Sequence, residues 1–262
     1  MILTDTHTHI YYEQDAEKSS QLMQRCLKSG VKRLFLPNVN ASTIPLVYNM
    51  VDNYPAHCFP MLGLHPCDVK AEANEETAAY LDELKLIRQA METHRFFAIG
   101  EIGIDLYWDK TTLAIQQEAF IQQIKWAKEF NLPIVIHCRE AFEEIFEILE
   151  QQKDEKLRGI FHCFTGNAIQ ARRVIDLGFY LGIGGVVTYK NAGLDKVVAD
   201  LDLQHLVLET DSPYLTPVPF RGKPNESSYL TYIAQKVADL KQVSVEEVAR
   251  ITTENSVRIF GI

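Results

Sequence analysis

The feature that most constrains this 262-residue chain is an alternation repeated eight times. Short runs rich in Val, Ile, Leu and Phe cover residues 2–6, 31–39, 58–64, 96–100, 133–136, 159–161, 179–183 and 206–208, and longer amphipathic stretches separate them. Near-continuous apolar runs of this length are what strands buried on both faces require, and parallel strands covered by helices are buried in that way. Between the runs, Leu113, Phe120, Ile124 and Ala127 recur three, four or seven apart, which predicts one helix over 113–130; Phe142, Ile145, Phe146 and Leu149 repeat the pattern. Gly30 and Gly178 each close a helical stretch just before a strand, where a left-handed cap suits glycine. Eight strand-helix units in succession predict an α/β fold, a (β/α)8 TIM barrel, forming a single domain over residues 1–262.

Such barrels build their sites at the C-terminal ends of the strands. Here nearly every apolar run leads into a potential ligand: His7 and His9 after the first, Asn38 after the second, His65 after the third and Glu101 after the fourth. His137 follows the fifth, His162 the sixth and Asp211 the eighth. His57, His94 and His205 precede strands instead, which places them at the opposite end and outside any site.

In Asp5-Thr6-His7-Thr8-His9 the two imidazoles are two residues apart on an extended segment, so they share a face and can chelate one ion. Alone, the pair is equally compatible with histidines that cap a strand. The placement of His137 and His162 on neighbouring strands, with Glu101 and Asp211 supplying carboxylates, points to a centre for two divalent metal ions. Individually, each of the six could satisfy a backbone carbonyl or cap a helix; burying all of them together without a cation would be costly. Mixed imidazole and carboxylate sets accept Mg, Mn or Zn, so the donor types leave the metal open.

Composition narrows the partners. The formal net charge is -9, which gives no general attraction to nucleic acid, so a polyanion must be drawn in locally, as bound cations would do. The five cysteines are odd in number and include no Cys-x-x-Cys pair, which fits a reducing compartment. No leader is visible and no apolar run approaches the roughly 18 residues that span a bilayer, so the expectation is a cytoplasmic protein without a membrane partner. Pro213, Pro217, Pro219 and Pro224 predict a long stiff loop over the mouth after the eighth strand. Gly182-Ile183-Gly184-Gly185 lacks the third glycine of a dinucleotide fingerprint. Cys138 and Cys163 alternate away from the ligand face and are expected to be packed thiols.

Taken in order, Asp5-Thr6-His7-Thr8-His9, Gly63-Leu64-His65-Pro66, Gly100-Glu101-Ile102-Gly103-Ile104-Asp105, Ile136-His137-Cys138-Arg139, Phe161-His162-Cys163-Phe164 and Leu208-Glu209-Thr210-Asp211-Ser212-Pro213 resemble the TatD family of metal-dependent deoxyribonucleases along the whole chain. The resemblance implies a barrel hydrolase that cuts phosphodiester bonds in DNA with two divalent ions. By motif, His7, His9, Glu101 and Asp211 match one metal site, and Glu101, His137 and His162 the second, with Glu101 bridging. His65 and Arg139 match positions near the substrate phosphate, although Arg139 could instead pair with Glu143 four residues on. Glu209 and Asp105 match positions that orient imidazoles. Thr8, where many relatives carry cysteine, and Ser227, where a proline is usual, depart from the pattern without touching a ligand.

The mechanism this implies is attack by a metal-activated water, with Asp211 accepting its proton and no covalent enzyme intermediate. A recessed mouth in an acidic chain favours DNA ends or single strands. Tyr107 and Trp108 can stack on a base or pack on the rim, and Arg139, Arg221 and Lys223 favour a phosphate. The alternative is an amidohydrolase-type enzyme acting on a small ester, amide or lactone, since fold and ligands do not dictate the group attacked. A protein that binds a partner's phosphate through metal without cleaving it is a third reading.

Overall fold

The computed structural model describes residues 1–70, 73–74 and 77–262. Eight parallel strands form the ring: β1 (Leu3–Asp5), β2 (Val31–Pro37), β3 (Cys58–Met61), β4 (Ile99–Asp105), β5 (Ile134–Arg139), β6 (Gly159–Phe161), β7 (Tyr180–Ile183) and β8 (Leu206–Leu208). They pair in two runs, β1-β2-β3 and β4-β5-β6-β7-β8. Two seams close the circle. At the first, Leu62 bridges to Ile99 and donates to Ala98 O at 3.1 Å. At the second, the Thr6 amide donates to Leu208 O at 3.0 Å and the Asp211 amide to His7 O at 2.9 Å. The TIM barrel anticipated from the alternation is therefore present.

Helices α1 (Ala16–Lys28), α2 (Ile44–Asn53), α3 (Ala79–Thr93), α4 (Leu113–Phe130), α5 (Phe142–Gln152), α6 (Ala168–Asp176), α7 (Leu194–Asp200) and α8 (Leu230–Lys241) follow the strands in turn. Helix α4 has the bounds its periodicity predicts, and Phe120, Ile124 and Ala127 are buried. Local chemistry sets the ends. Asp15 accepts the Lys18 amide at the start of α1, and Asn167 with Gln170 forms a capping box on α6. Gly30 and Gly178 adopt φ of 92° and 87° before β2 and β7. Among the described residues a ninth helix, α9 (Val245–Phe260), is an addition to the eight expected units. Among the described residues no helix is long and apolar enough to cross a membrane.

The core divides into two apolar clusters. Alternate strand residues such as Leu34, Leu36, Ile134, Ile136 and Phe161 face the helices, while Phe35, Met61, Ala98, Val135, Ile160 and Val207 fill the barrel interior with Ile259 and Phe260 of α9. Phe35 stacks on Phe260 with ring centroids 3.7 Å apart. Helix α9 therefore plugs the N-terminal end, and the strand alternation that buries Val135 and Ile160 inside the ring turns His137 and His162 inward at the other end.

Strand β4 corrects the expected bounds. The apolar reading stopped at Gly100, whereas the strand runs from Ile99 to Asp105 and contains Glu101. Its pairing with β5 skips a residue: Gly100 faces Val135 and Ile102 faces Ile136, so Glu101 is the extra residue of a bulge. Bulges re-aim side chains, and this one turns Glu101 into the mouth while Ile102 and Ile104 stay in the outer core.

Candidate active site

The mouth collects all six residues expected as metal ligands. Glu101 is the centre: its Oε2 lies 3.1 Å from His7 Nε2 and 3.7 Å from His9 Nε2. Its Oε1 lies 2.8 Å from His137 Nδ1, 2.9 Å from His162 Nε2 and 3.2 Å from His65 Nε2. Asp211 Oδ1 is 3.8 Å from His7 Nε2 and 3.7 Å from His9 Nε2. The rings of His7 and His162 stack with centroids 3.8 Å apart.

A cation fits this set. Five imidazoles crowd one carboxylate that has about four lone-pair sites, so each contact needs a proton or a metal to turn repulsion into attraction. Donor atoms of His7, His9 and Asp211, of His7, Glu101 and His162, and of His65, Glu101 and His137 each lie within 4.8 Å of one another, and Glu101 belongs to two of the three groups. Burial lowers His7 to about 4 and His9 to about 3, which keeps both imidazoles neutral with lone pairs to offer. Burial pushes Glu101 up, but His162, His65 and His7 hold it well below the usual carboxylate range. Burial pushes the Asp211 carboxyl up to about 8, with Glu101 and Glu209 adding to the rise against the pull of His162.

Surrounding groups fix which nitrogen faces the centre. The Tyr11 hydroxyl donates to Pro37 O at 2.7 Å and so accepts from His9 Nδ1 at 2.8 Å, leaving His9 Nε2 as the lone pair. Asp105 Oδ2 takes His137 Nε2 at 2.8 Å, and Glu209 Oε1 takes His162 Nδ1 at 3.2 Å. Asp105 and Glu209 thus occupy the orienting positions expected of them. Glu209 shares its inward direction with Val207 without a bulge, and Gly182 makes room for it, since a Cβ there would collide with Glu209 Oε2. At Gly103, φ is 144° and a Cβ would strike the His137 carbonyl, so only glycine lets β4 approach β5 here.

Two residues that matter were invisible to the sequence reading as site groups. Asp5 is fully buried, accepts from the Thr210 amide at 2.9 Å and the Thr210 hydroxyl at 2.6 Å, and so clamps β1 to the segment carrying Asp211. Tyr11 lies two residues past His9, and no spacing rule marks it. His65, expected beside the substrate phosphate, sits within ligand distance of Glu101. Its Nδ1 accepts the Cys67 amide at 3.0 Å, so the neutral ring carries its proton on Nε2 and acts there as a donor.

A cavity of about 620 Å³ lies over Glu101 and is walled by Arg139, Trp108, Tyr12 and Tyr214 among others. Arg139 makes no ion pair among the described residues. Its guanidinium lies 3.7 Å above the Tyr107 ring and 5.4 Å from Trp108, while Glu143 is taken by Arg173 at 2.7 Å. Tyr107 and Trp108 are exposed. The proline-rich loop forms part of the wall through Tyr214 and Leu215, and Asn225 pins it by donating to Thr210 O at 2.8 Å and Tyr214 O at 2.6 Å. The cysteines divide: Cys138 packs against the outer apolar cluster as alternation predicts, with an edge on the cavity wall, whereas Cys163 lines the same cavity against that rule. Cys163 has φ of 45°, which ends the extended alternation, and burial pushes its thiol far up, with Asp211 and Glu209 adding to the rise. His57, His94 and His205 lie outside this cavity, ahead of β3, β4 and β8.

Comparison with known proteins agrees with this construction. The "Uncharacterized metal-dependent hydrolase YabD" of Bacillus subtilis is 42% identical over 262 residues, covering 100% of both chains. The "Uncharacterized metal-dependent hydrolase YcfH" of Escherichia coli K12 is 35% identical over 272 residues, covering 100% of this chain and 97% of the other. Among solved structures, YjjV, a TatD homolog from Escherichia coli K12, superposes with a TM-score of 0.90 at 28% identity, over 99% of this chain and 98% of the other. Barrel, inward imidazoles and shared carboxylate define a metal-dependent hydrolase. Residues 4–261 match the family described as TatD related DNase, and the chain belongs to that family.

Proposed function

We propose that the protein is a deoxyribonuclease that hydrolyses phosphodiester bonds in single-stranded DNA or at DNA ends, using two divalent metal ions. The observation that carries the reading is Glu101: one buried carboxylate shared by two donor groups, one with His7 and His162 and one with His65 and His137, in a cavity also lined by Arg139, which makes no ion pair among the described residues. His7, His9, Glu101 and Asp211 would hold one ion, and Glu101, His137 and His162 the other. Bound there, the pair would supply Lewis acidity and a nucleophilic water near neutral pH.

The chain's own groups do the rest. Asp211 offers a carboxylate oxygen at the edge of the donor cluster that can take a proton from the attacking water and pass it to the leaving oxygen. His65 presents Nε2–H and Arg139 its guanidinium, two donors for the phosphoryl oxygens where negative charge develops. Stacking on Tyr107 holds Arg139 without using up its N–H donors. The recessed cavity has Trp108, Tyr12 and Tyr214 on its walls, which suits splayed bases better than a continuous duplex.

The test is metal-dependent nucleotide release from defined single- and double-stranded oligonucleotides, run beside small esters, amides and lactones. Cleavage confined to the small substrates would replace the deoxyribonuclease with an amidohydrolase-type enzyme using the same donors. Binding without turnover of any substrate at saturating metal would refute an enzyme altogether.

A further inference from the structure

The cavity over Glu101 runs into two further hollows. On one side it shares His9 and Tyr12 with a hollow of about 580 Å³ between α1 and the proline-rich loop. On another it shares Cys67, Asp105 and Trp108 with a hollow of about 510 Å³ beside the start of α4. The two differ in charge. The hollow beside α4 has Lys70 against Asp105 and Asp109. The hollow beside α1 has Lys18, Arg25 and Lys223 against Glu13 and Glu226.

Arg25 and Glu226 cancel, because the guanidinium grips the carboxylate with NH2 to Oε2 at 2.7 Å and Nε to Oε1 at 3.0 Å. This fork ties α1 to the end of the loop and fixes the width between them. Lys18 and Lys223 make no ion pair among the described residues. In a chain of net charge -9, a hollow with an excess of cations opening directly onto the metal-ligand cluster is where a polyanion would be drawn. Tyr12 stands at the junction, its ring stacked on His9 with centroids 5.5 Å apart, and the residue as a whole is 37% exposed.

We infer that a single-stranded polynucleotide with its scissile phosphate over Glu101 leaves the mouth through the hollow between α1 and the loop. Lys18 and Lys223 face its flanking phosphates there, and Tyr12 offers a stacking surface to the base between. This rests on the phosphodiesterase reading above, and it adds a direction: the strand extends toward α1, not toward α4.

The experiment measures kcat/KM at saturating metal for oligothymidylates of two, four and ten nucleotides, with the wild type and with Lys18→Ala/Lys223→Ala. The ratio of decamer to dinucleotide kcat/KM falls about tenfold in the double variant, and the salt dependence of the decamer flattens by about 1.4 in log-log slope, the share of two single-strand phosphate contacts. Lys85→Ala/Lys156→Ala, which removes the same charge from other surfaces, keeps the wild-type ratio. An equal fall in that control, or an unchanged ratio in Lys18→Ala/Lys223→Ala while the wild type cleaves DNA, overturns the groove alone. A wild type that neither cleaves nor binds any oligonucleotide overturns the deoxyribonuclease reading and the groove together.

Discussion

The two ends of this barrel are made from the same strands and obey opposite rules. At the N-terminal end, Phe35, Val135, Ile160 and Val207 point inward beneath Phe260 of α9, and apolar contact alone holds them. At the C-terminal end, the next inward positions of β5 and β6 are His137 and His162, and β8 leads into Glu209 and Asp211. There burial acts against charge, His7 Nδ1 and Glu209 Oε2 have no hydrogen-bond partner among the described residues, and Glu140, Cys163 and Asp211 have positive φ near 50°. The floor is built for stability; the mouth keeps positive-φ backbone and buried polar atoms at a cost that the rest of the fold offsets.

The sharpest break between the two ends is expected from Asp211→Asn. Asparagine tolerates the left-handed backbone there, so the thermal midpoint should stay within a few degrees while kcat drops by about 10³-fold or more, roughly 4 kcal/mol of barrier. Near-normal turnover would remove Asp211 from the chemistry. The reciprocal change is Phe260→Ala, which empties the floor beneath Phe35. It should lower unfolding free energy by about 3 kcal/mol in denaturant titrations and leave kcat per folded molecule as it was. A matching loss of kcat would mean that the ends are coupled.

Smaller changes sharpen the contrast inside the mouth. Glu209→Gln keeps the shape but weakens the hold on His162 Nδ1, and metal affinity by calorimetry should fall about 10- to 100-fold with little change in unfolding. Tyr11→Phe removes the hydroxyl that orders His9, and a loss of about tenfold or less in metal affinity is expected. Smallest of all is the effect of a thiol reagent. Because burial and the adjacent carboxylates keep the Cys163 thiol protonated, iodoacetamide at pH 8 should leave it unmodified in the native protein, as peptide mass spectrometry would read.

The ring and the six residues gathered at its mouth were legible because both follow from position: a buried parallel strand is a continuous apolar run, and the residue that leaves it faces the mouth. What was not legible departs from even alternation. Gly100-Glu101-Ile102-Gly103 reads as the end of a strand, and only the bulge opposite β5 shows it to be the strand's middle. Counting in twos puts Cys163 on the outer face, a count that fails at φ of 45°. Tyr11 and Asp5 act through partners 26 and 205 positions away, Pro37 and Thr210, and no local pattern encodes such a meeting. Helix α9 carries an ordinary amphipathic pattern, so nothing along the chain distinguishes a floor from a wall.

The seam between β1 and β8 has a consequence for when the site exists. His7 follows the first strand of the ring and Asp211 the eighth, and the clamp of Asp5 on Thr210 brings them together only when the circle shuts. The full donor set therefore exists only in the closed ring, and whatever opens this one seam takes it apart.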